Sequence, residues 1–385
     1  VHVRRTALRL GAALGLVALA LVGSAPASRA ATREPLRDAL ARALGVAQRP
    51  ARAVDSAPSP RPAALRSMLR ESADRYASAG DGMRVYSDAY GAAELEPVAA
   101  TLRSLDHGPE LAELSVFVAT PEQVGELCGE EALACYFGAV EEMVVSGVDA
   151  PVDGVSREFA IAHEYGHHIA NSQGGGTLPA IEAGTLRWAT YERVCQLTRH
   201  GRLSQGDSGA RYWQDPEEAF AQAYAVLNRP ADRVPWDYTP LLQPSAAALA
   251  KIHADVSRPW TGPVRSRWEG PLSSPPGDRA GAAGRRSGAI GVGAGHAVGD
   301  PPWLAVRHLR TPLDGAVSVS VRAAEGSSVA VTLRDRDRGR VLARVATGPE
   351  GSAEISYANC GADALRVEVR ALDGPAAFEA ELTRP

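Results

Sequence analysis

The sequence predicts an α+β protein in which a mixed helix-and-strand body is followed by a separate, small antiparallel β-sandwich. Three observations carry this. Residues 159–171 and the stretch opening at Asp215-Pro216 have helical patterns, sixteen of the 42 residues from 262 to 303 are Gly or Pro, and the chain beyond 303 alternates apolar with polar residues. With 385 residues, 45% of them hydrophobic and 22% charged, the chain is long enough for two cores and too apolar to be disordered throughout.

Residues 1–30 read as an export signal. Arg4, Arg5 and Arg9 form a basic head before the apolar run 10–22, and small-residue cleavage sites follow at Ala25-Pro26-Ala27 or Ser28-Arg29-Ala30. That run is short for a bilayer span, which favours a cleaved peptide over a retained anchor and predicts a secreted mature chain without a membrane segment. Residues 31–62 are rich in Ala, Arg and Pro, with Leu36, Leu40 and Leu44 at helical spacing, a composition that suits a disordered spacer and a propeptide equally.

Residues 63–261 form the body, and its charge excludes one class of partner. From 83 to 260 there are 25 acidic and 12 basic residues, a balance of -13, while the whole chain is at -4 and residues 304–385 are neutral. Such a chain has no electrostatic footprint for nucleic acid. An acidic body can favour cationic substrates or serve solubility alone. Nothing in the pattern calls for an oligomer, and a monomer is expected.

Four cysteines in an exported chain point to bridges. Cys128 and Cys135 are close enough in sequence for a local disulfide. Cys195 and Cys360 are predicted in a helix and in the β domain, and an inter-domain bridge or two free thiols both remain open.

The chemistry concentrates in Phe159-Ala-Ile-Ala-His163-Glu164-Tyr165-Gly166-His167-His168-Ile169-Ala170-Asn171. Phe159, Ile161, Ala162, Ile169 and Ala170 supply a buried helix, Ser156 or Asp153 its cap, and 174–176 its glycine stop. His163 and His167, four apart, share one face, so two imidazoles can grip one zinc ion. Glu164 stands about 100° around from His163, suited to hydrogen-bond a water at the metal and poorly placed to ligate. His168 points away from His167 and reads as a structural histidine.

The third ligand comes from further on. HExxHxxGxxH would require Gly at 170 and His at 173, where this chain has Ala170 and Gln173, which excludes the metzincin pattern. Glu182 and Glu192 are candidates in the next predicted helix. The better one lies in Tyr212-Trp-Gln-Asp215-Pro216-Glu217-Glu218-Ala-Phe220-Ala221-Gln222-Ala-Tyr224, where Asp215-Pro216 starts a helix.

The two motifs together resemble secreted bacterial HExxH zinc metallopeptidases of gluzincin-like kind, with a third-ligand helix similar to the N-P-x-E-x-F-A-E segment of the lethal-factor type. The resemblance spans roughly 115–228. It implies a zincin-type domain, an active-site helix against a small mixed sheet, with His163, His167 and Glu218 on Zn2+ and Glu164 as general base. Phe220-Ala221 matches the packing pair, and Gln222 stands where the family has Glu, which puts an outer hydrogen bond in doubt. Tyr212 falls one residue out of register with the family's oxyanion-stabilising tyrosine, and Tyr224 and Tyr191 compete for that role. The family also places an edge strand before the active helix for an extended peptide. Glu142-Met-Val-Val-Ser146 is in the right place to be that strand, with Leu114-Ser-Val-Phe-Val-Ala119 as its neighbour, and both suit ordinary core strands equally.

Beyond the Gly/Pro-rich linker 262–303, apolar-alternating runs at 317–321, 329–333, 341–345, 353–357, 365–369 and 378–382 predict a β-sandwich over 304–385. In size, position and strand pattern it resembles the bacterial pre-peptidase C-terminal type of domain. The expected function is a secreted zinc-dependent peptidase acting on protein or peptide. Its rivals are a zinc amidase acting on cell-wall peptide and a catalytically silent exported module with structural zinc.

Overall fold

A computed structural model describes residues 74–77, 81–130, 132–149, 154–173, 184–206, 210–272, 304–347, 351–361, 364–372 and 376–385. The expected export signal 1–30, the segment 31–62 and most of the expected linker lie outside the described residues, as do the glycine stop at 174–176 and Glu182.

The first sheet has five strands: β1 (Asp74–Ala77), β2 (Arg84–Ser87), β3 (Ser115–Ala119), β4 (Ala134–Phe137) and β5 (Glu142–Ser146), in the spatial order β1-β2-β3-β5-β4. β2, β3 and β5 run parallel, and β1 and β4 close the two ends antiparallel. The sheet is therefore mixed. Strands β3 and β5 are apolar at successive positions because both faces are covered. Val116, Val118, Met143 and Val145 join the main core with helix α1 (Ala92–Ser104) and helix α3 (Arg157–Gln173). Phe117, Ala119 and Val144 face the other way, into a smaller core with helix α2 (Pro121–Cys128).

Of the two readings open for Glu142–Ser146, edge strand or ordinary core strand, the structure has the core strand. β5 lies between β3 and β4, and β4 is the edge. The cause is local. The turn Gly138–Val140, closed by Glu141 in the left-handed region at φ 51°, folds the preceding residues back onto β5, and the Cys128–Cys135 disulfide ties β4 to the end of α2. The neighbour expected at 114–119 is present as β3.

Helix α3 starts where Ser156 Oγ accepts from the Phe159 amide at 3.1 Å, and it lies on β4 and β5. After it come α4 (Leu186–Tyr191), α5 (Val194–Arg199), α6 (Pro216–Asn228) and α7 (Ala246–Ser257). α6 crosses α3, and Trp188 of α4 packs edge-on against Phe220 of α6 with centroids 5.0 Å apart, both fully buried. Such a pair adds about 0.5–1.5 kcal/mol to the burial of its rings. The buried Asp255 of α7 accepts from the Arg187 and Trp188 amides and so holds the start of α4.

The C-terminal part is a sandwich of two four-stranded antiparallel sheets. One has the order β10 (Val341–Ala346), β9 (Val329–Asp335), β12 (Ala364–Ala371), β7 (Leu304–Arg310). The other has β11 (Ser352–Asn359), β8 (Gly315–Ala323), β13 (Ala376–Arg384), β6 (Val264–Leu272). All six alternating runs lie within strands, and Val317, Val319, Val331, Leu333, Val367 and Val369 fill the space between the sheets. The linker expected from 262 is corrected over its first part, because Val264–Leu272 is a strand paired with β13. Its glycine and proline hid it. Pro271 is tolerated because β6 is an edge, where a missing amide breaks no ladder.

The two bridges are Cys128–Cys135 and Cys195–Cys360, and no described cysteine is free. The second joins α5 to the sandwich, where the Arg199 guanidinium also donates to the Ala358 carbonyl at 2.8 Å and the Asp314 amide to Thr190 Oγ1 at 3.0 Å. Both bridges fit an oxidising compartment. Among the described residues no helix is long and apolar enough to cross a membrane. Sequence separations of 165 and 7 predict unequal stabilisation, about 5 kcal/mol against about 2.5 kcal/mol on a chain-entropy basis. Replacing Cys195 and Cys360 together by serine should therefore lower the denaturation midpoint clearly more than replacing Cys128 and Cys135. Equal losses would show that the long bridge constrains the unfolded chain no more than the short one.

Candidate metal centre

Two helices build the centre. α3 presents His163 and His167 one turn apart, with ring centroids 5.1 Å from each other. α6 brings Glu218 from its first turn, started by Pro216 and by Asp215, whose side chain accepts from the Glu217 amide at 2.9 Å. Glu218 Oε2 lies 3.2 Å from His163 Nε2 and Oε1 lies 3.6 Å from His167 Nε2. One ligand atom from each of the three falls within 4.8 Å of the others, so the group can hold a metal ion. Glu218, His167 and Glu164 are buried, and the His163 side chain keeps only 11% of its surface.

Glycine explains how the helices come so close. A Cβ on Gly166 would sit 2.8 Å from Ala221 Cα and 3.2 Å from the Ala221 carbonyl, both backbone atoms that cannot swing aside. We expect Gly166→Ala to force the helices apart and cost about 1–3 kcal/mol, less the roughly 1 kcal/mol that alanine returns in helix propensity. Thermal unfolding and metal binding measured together check this. An alanine variant that matches wild type in both would show the crossing tolerates a methyl group.

His163 is also held from outside. Gln222 Oε1 lies 3.3 Å from His163 Nδ1, and the Gln222 amide nitrogen points to the Pro235 carbonyl at 3.4 Å. With a metal ion bound, the carboxamide oxygen would accept from Nδ1–H and leave the Nε2 lone pair for the metal. Gln222 can make the outer hydrogen bond that the departure from Glu had put in doubt. It does so without adding a charge.

Burial pushes the Glu218 carboxyl up, but His167 and His163 outweigh it and hold the group well below the ordinary carboxylate range. Burial raises the Asp215 carboxyl to about 7, against the pull of the Glu217 amide. Tyr212 and Tyr238 are both pushed well above the ordinary phenol value, first by burial and also by the charge on Glu218. Both therefore remain hydrogen-bond donors.

Tyr212 is brought to the centre, with its hydroxyl 2.6 Å from Glu218 Oε2. Its two competitors are not. Tyr224 donates to the Asp106 carbonyl on the far side of α6, and Tyr191 is exposed at the end of α4 under Lys251. Glu217 faces Gln205, and Glu192 caps the end of α4 outside the cluster. His168 is structural. Its Nε2 donates to the Glu110 carbonyl at 2.9 Å, so Nδ1 accepts from the Tyr136 hydroxyl at 3.0 Å, and both nitrogens are used. His253, to which the sequence assigns no role, pairs with Asp106 away from the centre.

Sequence reasoning missed Tyr238, which reaches Glu218 Oε2 at 3.3 Å from the loop after α6. Its only signal is the aromatic cluster Trp236-Asp-Tyr238 close behind the ligand helix. It also missed that Ser156 donates to Asp232 at 2.8 Å, which ties the start of one ligand helix to the end of the other.

No protein-family model matches this chain, and comparison with curated proteins finds no match.

Proposed function

We propose that the chain is an exported zinc-dependent peptidase. The observation that carries the reading is the convergence of His163, His167 and Glu218 on one point, with Glu164 buried on the same helix next to the first ligand. Two imidazoles and one carboxylate are the donor set of catalytic zinc sites that leave a coordination position open. A zinc ion there would polarise a peptide carbonyl and make water acidic enough to lose a proton near neutral pH.

The remaining roles belong to the protein. Glu164 takes the proton of the attacking water and returns it to the leaving amine. Tyr212 and Tyr238, held protonated, supply hydrogen-bond donors within the centre. Gln222 would hold the Nδ1 side of His163 and leave Nε2 for the metal. The edge of β4, on which α3 lies, offers backbone groups to an extended peptide.

The test is hydrolysis of unstructured proteins and peptide mixtures by the mature chain, with a zinc chelator and with zinc added back. Cleavage that disappears with the chelator and returns with zinc supports the reading. A zinc-loaded, folded chain that cuts amide-linked cell-wall peptides and no protein would make it an amidase with the same chemistry.

A further inference from the structure

Two tyrosines meet at the third ligand, and they are not equivalent. Tyr212 lies in the short turn Tyr212–Gln214 before α6, and Tyr238 in the segment after it. The backbone joins the two segments, since the Thr239 amide donates to the Trp213 carbonyl at 2.8 Å. The phenol rings stand 5.9 Å apart, and Trp236 packs edge-on against Tyr238 at 5.6 Å. The Trp236 indole nitrogen donates to the Thr239 carbonyl at 3.1 Å, so this aromatic corner is braced.

The hydrogens differ. Tyr212 makes a short bond of 2.6 Å to Glu218 Oε2, the length of a charge-assisted hydroxyl–carboxylate contact. Tyr238 stands 3.3 Å from the same oxygen and 3.4 Å from the Tyr212 hydroxyl. A phenol has one hydrogen to give. That of Tyr212 is committed. That of Tyr238 has two distant acceptors, both beyond the usual hydroxyl range, so it loses little by turning to a better one.

We infer that the two phenols divide the work: Tyr212 is a positioning residue that fixes the Glu218 carboxylate for the metal, and Tyr238 is the donor that meets a charged oxygen of the bound ligand, including a substrate carbonyl as it gains negative charge. The inference rests on the metal-centre reading above. The oxyanion role expected of Tyr212 from sequence passes to Tyr238.

The experiment compares full-length Tyr212→Phe and Tyr238→Phe, which keep both rings and so their packing, with thermal unfolding as the control. Zinc affinity is measured by chelator competition, and acetohydroxamate affinity by the visible absorption of the cobalt-substituted protein. Tyr212→Phe should weaken zinc by about 10–100-fold and leave acetohydroxamate binding of the cobalt-saturated protein at the wild-type level. Tyr238→Phe should keep wild-type zinc affinity and weaken acetohydroxamate about tenfold or more, the value of one hydrogen bond to a charged oxygen. Equal zinc losses in the two variants would overturn the division, and so would wild-type acetohydroxamate binding in Tyr238→Phe. A chain with the expected double pattern that cleaves no peptide would sink the peptidase reading and leave the division standing.

Discussion

Replacing Glu218 by alanine is expected to strip the centre of its metal. Glu218 is the only carboxylate in the cluster, and its two oxygens face the Nε2 atoms of both histidines. Disturbing even a residue that supports a metal ligand typically costs about 10–100-fold in affinity, so loss of a direct ligand should exceed about 100-fold. The variant also leaves the Tyr212 hydroxyl without its acceptor, at a cost of about 1–3 kcal/mol in stability. Glu218→Gln separates the two effects, because it keeps an acceptor for the phenol and removes the charge. Bound zinc per chain after dialysis is the measurement. Full zinc in both variants would move the third ligand to another glutamate and leave Glu218 a buried acceptor for two tyrosines.

The second large effect is expected at Glu164. Glu164→Gln has nearly the same shape, stays on the buried face of α3 and leaves His163, His167 and Glu218 in place. Zinc content should therefore match wild type, while turnover falls by about 10²–10⁴-fold, the usual worth of a positioned general base. The fall should appear in kcat with little change in KM, because proton transfer belongs to the reaction step. Unchanged turnover at full zinc would remove Glu164 from the chemistry. Lost zinc would instead make it a support of the metal centre.

Local chemistry made part of this molecule legible. The histidine pair, the Ser156 and Asp215 helix starts and the six alternating strands each follow from a few neighbouring residues, and the structure has them where expected. Glu218 could be singled out from Glu217 because its segment resembles the third-ligand helix of the lethal-factor type, residue by residue. What could not be read depends on partners distant in sequence. β5 is interior only because β4 folds back across it, and the run Glu142–Ser146 looks the same in either place. Val264–Leu272 looked like linker because a sheet edge accepts the glycine and proline that an inner strand rejects. Tyr238 follows the ligand helix without a spacing rule, and only the contact between Trp213 and Thr239 brings it back to Glu218. Gly166 interrupts a helix pattern, and its reason appears only once Ala221 is seen against it.

The Cys195–Cys360 bridge has a consequence for how such a chain survives among proteases. β6 pairs with β13 on one side of the stretch 273–303, and β7 joins the sandwich on the other. A single nick anywhere in that stretch therefore frees nothing. The two pieces stay joined by a covalent bond and by a strand that has remained with its sheet. On a gel the nicked protein would run as one species until a reductant is added, and then as two. The C-terminal sandwich is thus retained on a damaged molecule for as long as its surroundings remain oxidising.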